Sequence, residues 1–249
     1  MKKVKFTDNH LEPILPYGYP HPSSTLLKGN SMEGKLAFEW AFMADWLKAG
    51  GSLVVLLIQW TSVAHFKKAM AKSTDLDIAR YEEHSMYVLF DAHLETCEQV
   101  DKHTTKANLL EPDTWNKVID IAELQTKASS LGTLVVGGGL DLLLHSPTYS
   151  EWVLETVAQT LQQEKSRSYL MSVSASTETQ EMSKWMESVD NLIEINRTHS
   201  KEVALNFEKF LYPEEVVLQK KLSISDAIFE TSQQLESTSE EVKKQIERI

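Results

Sequence analysis

The chain has one cysteine, Cys97, no apolar run long enough to cross a bilayer, and a shortage of positive charge. A lone cysteine closes no intrachain disulfide and supplies no thiolate pair for a metal, a usage expected in a reducing cytosol. Cys97 itself reads as a small buried apolar residue. A membrane span needs ~20 apolar residues in succession, and stretches such as Leu53-Val54-Val55-Leu56-Leu57-Ile58 fall far short. The start, Met1-Lys2-Lys3-Val4-Lys5-Phe6, is basic but runs into Thr7-Asp8-Asn9-His10, so no signal peptide is expected and the location is read as cytoplasmic. Lys and Arg number 25 against 36 Asp and Glu, a formal charge of −11. Such a chain is repelled by phosphate backbones and anionic lipid unless a basic patch compensates, which disfavours nucleic-acid and membrane partners. The serine-nucleophile pattern G-x-S-x-G is absent. No pair among His84, His93 and His103 has both ligand spacing and a shared regular element, so no metal is expected.

What is present is a phosphate-loop spacing with one residue changed. Gly29, Asn30, Ser31, Met32, Glu33, Gly34 and Lys35 satisfy G-x-x-x-x-G-K, but the hydroxyl residue that would bind Mg²⁺ is Leu36. The short apolar stretch Ser24-Thr25-Leu26-Leu27 precedes it, and a helix over about residues 34–49 follows, apolar on nearly every side. Strand, glycine turn, helix is the context this motif requires. Gly29 to Leu36 are therefore the candidate cofactor-binding residues, with ATP the ligand such a loop takes. The alternative is inherited architecture in which Lys35 bonds loop carbonyls in place of phosphates.

Four prolines, Pro13, Pro16, Pro20 and Pro22, make residues 7–22 an ordered lead-in loop. Residues 53–58 form a continuous β-branched-rich run, the pattern of a strand buried on both faces. A helix is predicted over 61–71 and a strand over 86–90, whereas 91–110 are polar and ambiguous. Pro112 opens a helix to about residue 129, residues 131–136 give another central strand, and Gly137-Gly138-Gly139 breaks it. These glycines read as a tight turn, or as the lining of a ligand cleft at a strand end. A helix over 149–164, a strand over 168–174 and a short helix over 178–186 follow. Residues 189–195 and 203–207 alternate in polarity, which predicts an antiparallel hairpin at one edge. The fold class is α/β, a mostly parallel sheet with helices on both faces. Residues 1–213 read as the domain and 214–249 as a helical tail, with Ile228, Leu235, Val242 and Ile249 spaced by seven.

With strand order and loop in place, the chain resembles the RecA-like ATPases of the KaiC branch over roughly residues 11–211. Tyr19-Pro20-His21-Pro22-Ser23-Ser24 is similar to that family's segment before the first strand. The resemblance places the catalytic Glu where this chain has Gln59, the Mg²⁺-associated Asp at Gly137, and a Lys-x-Arg element that reaches a neighbour's nucleotide near Glu208-Lys209-Phe210. Asp141 lies four residues past the metal position and is expected to face elsewhere. An amide takes no proton from an attacking water, and Leu36 and Gly137 supply no metal ligand. Glu33 would add about 3 kcal/mol of repulsion toward a phosphate charge ~5 Å away at an effective dielectric of ~20. Trp60, next to Gln59, is sized to fill the space of a base or γ-phosphate. Leu57-Ile58-Gln59 also resembles the Elongator accessory subunits, RecA-like ring-forming scaffolds that have lost these motifs. The resemblance implies a catalytically inactive regulatory or assembly subunit in a homo- or hetero-oligomer. A nucleotide sensor that binds without turnover is the alternative, and an active ATPase with substituted metal ligands is the third.

Overall fold

A computed structural model describes residues 2–6, 11–74, 76–111, 113–127, 129–173, 182–199, 201–213 and 219–249. Pro112, Ala128, Ser174 and the first residues of the helix expected over 178–186 lie outside them, as do residues 7–10 of the lead-in loop.

The strands are β1 (Lys2–Val4), β2 (Tyr19–His21), β3 (Ser24–Lys28), β4 (Ser52–Leu57), β5 (Ser85–Phe90), β6 (Cys97–Asp101), β7 (Thr104–Ala107), β8 (Thr133–Gly137), β9 (Ser168–Ser172), β10 (Asn191–His199), β11 (Glu202–Lys209) and β12 (Gln219–Ser223). The helices are α1 (Met32–Lys48), α2 (Val63–Ser73), α3 (Thr114–Gln125), α4 (Ser150–Gln163), α5 (Met182–Ser188) and α6 (Asp226–Ile246). Among the described residues, β1 and β2 form a small antiparallel pair. The other ten strands form one sheet in the order β12-β11-β10-β3-β9-β8-β4-β5-β7-β6.

The run from β10 to β7 is parallel throughout. Side-chain alternation splits it between two cores. Leu53, Val55 and Leu57 face α1 and α2, and Val54 and Leu56 face α3, α4 and α5. β4 is buried at all six positions, which is why it reads as an unbroken apolar run. Antiparallel pairing is confined to the edges, β10-β11-β12 on one side and β7-β6 on the other. The hairpin expected from residues 189–207 is there, with β10 also pairing in parallel with β3. The second hairpin comes from the stretch that sequence left ambiguous. Cys97, expected to be buried, is half-buried on its outer strand.

α1 buries 15 of its 17 residues, because the sheet covers one side while α2 and α6 cover others. It starts at Met32, two residues ahead of the expected position, because the Ser31 side chain caps it by accepting from the Gly34 N–H at 3.1 Å. α6 begins at the Ser225 cap and lies across α1, α2 and the 3-10 turn Leu140–His145, with Ile228, Leu235 and Ile246 buried. β12, drawn from the residues expected to form the tail, completes the sheet.

Candidate functional site

The phosphate-loop residues sit at the carboxyl end of β3, flanked by β9 and β10, where open α/β sheets hold ligands. Both glycines of the spacing are in use, and the neighbour they admit is protein. Gly29 has φ +110°, and a Cβ built on it would lie 2.2 Å from the Ile195 carbonyl oxygen. A Cβ on Gly34 would lie 2.7 Å from Ile195 Cγ2 and 3.0 Å from Val203 Cγ1. The β10–β11 hairpin therefore presses on the loop at a distance only glycine permits.

Four of the loop's backbone donors, those of Asn30, Ser31, Gly34 and Lys35, have acceptors in the chain itself. The Asn30 N–H donates to Asn196 Oδ1 at 3.0 Å, and the Ser31 N–H to the Ile195 carbonyl at 3.3 Å. The Gly34 N–H is held by the Ser31 hydroxyl, and the Lys35 N–H by the Ser31 carbonyl at 3.1 Å. Asn30 Oδ1 in turn accepts from the Arg197 N–H at 2.9 Å. Loop and hairpin are stitched together from both sides.

Lys35 is buried and donates Nζ to the carbonyls of Gly29 at 2.9 Å and Val173 at 2.6 Å. Burial pushes its ammonium below the ordinary lysine range. The nearby Asp141, Glu39 and Glu33 oppose that shift, in that order of strength. Asp141, expected to face elsewhere, is thus the foremost acidic neighbour of this lysine. Gly139, at φ +71°, starts the 3-10 turn Leu140–His145, which folds Asp141 back into the interior. Glu33 is buried and ion-paired with Arg197, whose guanidinium lies 5.8 Å from the Phe229 ring of α6. Its charge is directed to the hairpin.

Glu39, one turn beyond Lys35 on α1, is buried with Oε1 unpartnered. Burial raises its carboxyl to about 7, against the hydrogen bond from Ser172 and the charge of Lys35. Gln59, at the position of the expected catalytic Glu, donates Nε2 to Ser239 Oγ of α6 at 2.8 Å. Met32, Lys35, Glu39, Gln59, Ser172 and Leu235 help line a cavity of about 20 Å³. That volume holds roughly one water, whereas small-molecule sites run to about 300–1,000 Å³. Leu36 packs in the core, and Trp60 stacks among Phe66, His65 and Trp40 at 5.2, 5.5 and 6.3 Å between ring centres. Lys209 donates to the carbonyl oxygens of Glu187 and Val189 in its own chain. Among the described residues no cluster of three or more His, Cys, Asp or Glu could hold a metal ion.

Gly137 lies buried in β8, and Gly139 supplies the turn that sequence predicted. A Cβ at Gly139 would meet Gln59 Cδ at 2.4 Å, with Gln59 itself anchored to α6. Gly139→Ala is expected to lower stability by about 1–3 kcal/mol, from positive-φ strain and displacement of Gln59. Urea unfolding reads it out; a loss under about 0.5 kcal/mol would mean that Gln59 is not fixed there.

Sequence did not single out Glu39, Asn196, Arg197 or Ser239 as site residues. Three of them come from distant elements with no local motif, and Glu39 is one of three acids, with Glu33 and Asp45, in a largely apolar helix.

No protein-family profile and no curated protein sequence matches the chain. Solved structures do. A KaiC-like protein from Pyrococcus horikoshii superposes with a TM-score of 0.62 at 13% identity, over 88% of this chain and 93% of its own. The flagellar accessory protein FlaH from Methanocaldococcus jannaschii gives 0.63 at 12% identity, over 90% of this chain and 94% of its own. The chain therefore has the fold of these KaiC-like and FlaH proteins.

Proposed function

We propose that this protein is a catalytically inactive RecA-like chain that works through protein contacts, as a regulatory or assembly subunit. The observation that carries the proposal is the closure of the phosphate loop. The N–H groups of Asn30, Ser31, Gly34 and Lys35, and the Lys35 ammonium, are bonded to acceptors of the chain itself. A nucleotide would have to replace these bonds, lift the β10–β11 hairpin and displace α6 from Gln59 before reaching the loop. Hydrolysis would then still lack a general base at Gln59, and metal ligands at Leu36 and Gly137. A retained fold without these groups supports a role in binding other proteins.

Thermal unfolding of the full chain, with and without millimolar ATP and Mg²⁺, tests the closure. The midpoint is expected to stay put. A ligand at 100 times its Kd adds about 2.7 kcal/mol, several degrees for a domain of this size, so a rise of that order would reject the proposal. Such a rise would favour the nucleotide sensor, which the G-x-x-x-x-G-K spacing between strand and helix supports. In that case Lys35→Ala would abolish the shift while leaving the fold intact.

A further inference from the structure

A cavity of about 470 Å³ lies between α1, the end of α2 and the segment that joins β12 to α6. Sites for small organic molecules run to about 300–1,000 Å³, so it is of that size, and none of residues 29–36 lines it. Much of its wall is apolar. Trp40, Leu222, Ile224 and Ile228 are buried core residues that border it, and the space is left open because α1 presents Ala37 and Ala41 where longer side chains would fill it.

The hydroxyls along the wall differ in how far they are satisfied. Thr74 donates to the Met70 carbonyl at 3.0 Å, and Ser225 accepts from the Ile228 N–H at 3.3 Å. The Ser73 hydroxyl oxygen, at the end of α2, is buried and has no hydrogen-bond partner. A buried hydroxyl in that state costs stability until something bonds it.

Beside it, Lys72 is exposed at the mouth of the cavity and makes no ion pair among the described residues. Lys68, one turn earlier, is also without one. The two lysines line a neighbouring cavity of about 140 Å³ between α2 and α6, in which the acid is Glu230. Two lysines against one acid make this a positive spot on a chain whose formal charge is −11.

These features select a ligand by elimination. An inorganic or polyphosphate anion would leave the apolar wall unused, and a plain hydrocarbon would leave the Ser73 hydroxyl unbonded. A carboxylate with a hydrocarbon body uses both, because its oxygens accept from an ammonium and a hydroxyl together. We propose that this cavity binds a small amphipathic carboxylate, with its body against Trp40, Ile224 and Ile228 and its oxygens accepting from Lys72 and Ser73. The site is independent of the protein-contact role above.

Isothermal titration calorimetry of the full chain with hexanoate, octanoate and decanoate, each below its micelle concentration, tests it. One-to-one binding is expected, tightening about two- to fourfold for each added methylene as hydrocarbon leaves water. Decanol, which has the body without the charge, should bind at least about tenfold more weakly than decanoate. Lys72→Glu should weaken decanoate at least about tenfold, whereas Lys72→Arg should retain it. Ser73→Ala should weaken it by about three- to tenfold. Lys72 is exposed and unpaired, so an unchanged melting midpoint without ligand is expected for both of its variants. No binding of decanoate at millimolar concentration overturns the proposal, as does an affinity that ignores chain length or is the same in Lys72→Glu as in wild type. None of these results touches the closed phosphate loop, which the ATP experiment tests separately.

Discussion

Gly29→Ala should cost about 3–5 kcal/mol and leave the protein poorly folded at moderate temperature. Two effects add. At φ +110° Gly29 occupies backbone space that side-chain-bearing residues avoid, a strain of order 1–3 kcal/mol. A methyl group there would also lie 2.2 Å from the Ile195 carbonyl oxygen and 2.7 Å from Ile195 C and N. These are main-chain atoms of a central strand, so no side chain can swing aside. Relief requires β10 to shift, which weakens the Ser31 N–H bond to Ile195 and the parallel register of Ile193 with Leu27 and Glu194 with Lys28.

Gly50→Ala separates the two effects. Gly50 has φ +85°, and a Cβ there would meet nothing within 4 Å, so it carries the backbone strain alone, about 1 kcal/mol. Chemical denaturation of the two variants should differ by at least about 2 kcal/mol. Equal losses would show that β10 does not press on the loop. The glycine at position 29 would then not be required by packing, and β10 would not close the loop.

The contrast between these glycines marks where sequence information stops. The spacing of Gly29, Gly34 and Lys35 is local and legible, and so is the surrounding strand and helix, because apolar runs and a capping serine declare themselves within a few residues. What fills the loop is not legible. Ile195, Asn196 and Arg197 lie more than 160 residues away, and their approach depends on the register of a parallel strand pair. Ser239, 180 residues from Gln59, is set on its face only once α6 packs on α1, α2 and the turn Leu140–His145. The central strands read clearly because both faces are buried. β6 read poorly because Glu98 to Asp101 are exposed, leaving no apolar period to detect. Asp141 was misplaced for a geometric reason. Counting along an extended strand takes it away from the site, whereas the turn begun by Gly139 brings it back.

Glu39→Gln should stabilise the protein at pH 8 by about 1–3 kcal/mol and change it little at pH 4.5. Burial raises the Glu39 carboxyl from its ordinary 4.5 to about 7 in the folded chain. Between those two values the native protein holds a proton that the unfolded chain releases. Stability therefore falls as pH rises through this window, and above about 7 the full cost of an ionised buried group remains. One pKa unit corresponds to ~1.4 kcal/mol, so the whole window amounts to roughly 3 kcal/mol. Glutamine keeps the shape of the protonated carboxyl and never ionises, so that cost disappears. Part of the gain is offset because Lys35, whose charge Glu39 favours, loses a partner. Melting midpoints of wild type and variant across pH 4.5–8.5 should diverge progressively, by about 2–4 °C for each kcal/mol in a domain of this size. Parallel curves would mean that Glu39 ionises at an ordinary pH and that water reaches it beneath α6. A cavity open to water in that way would also admit ligands more readily than its volume suggests, so the pH series bears on the closed site independently of the ATP experiment.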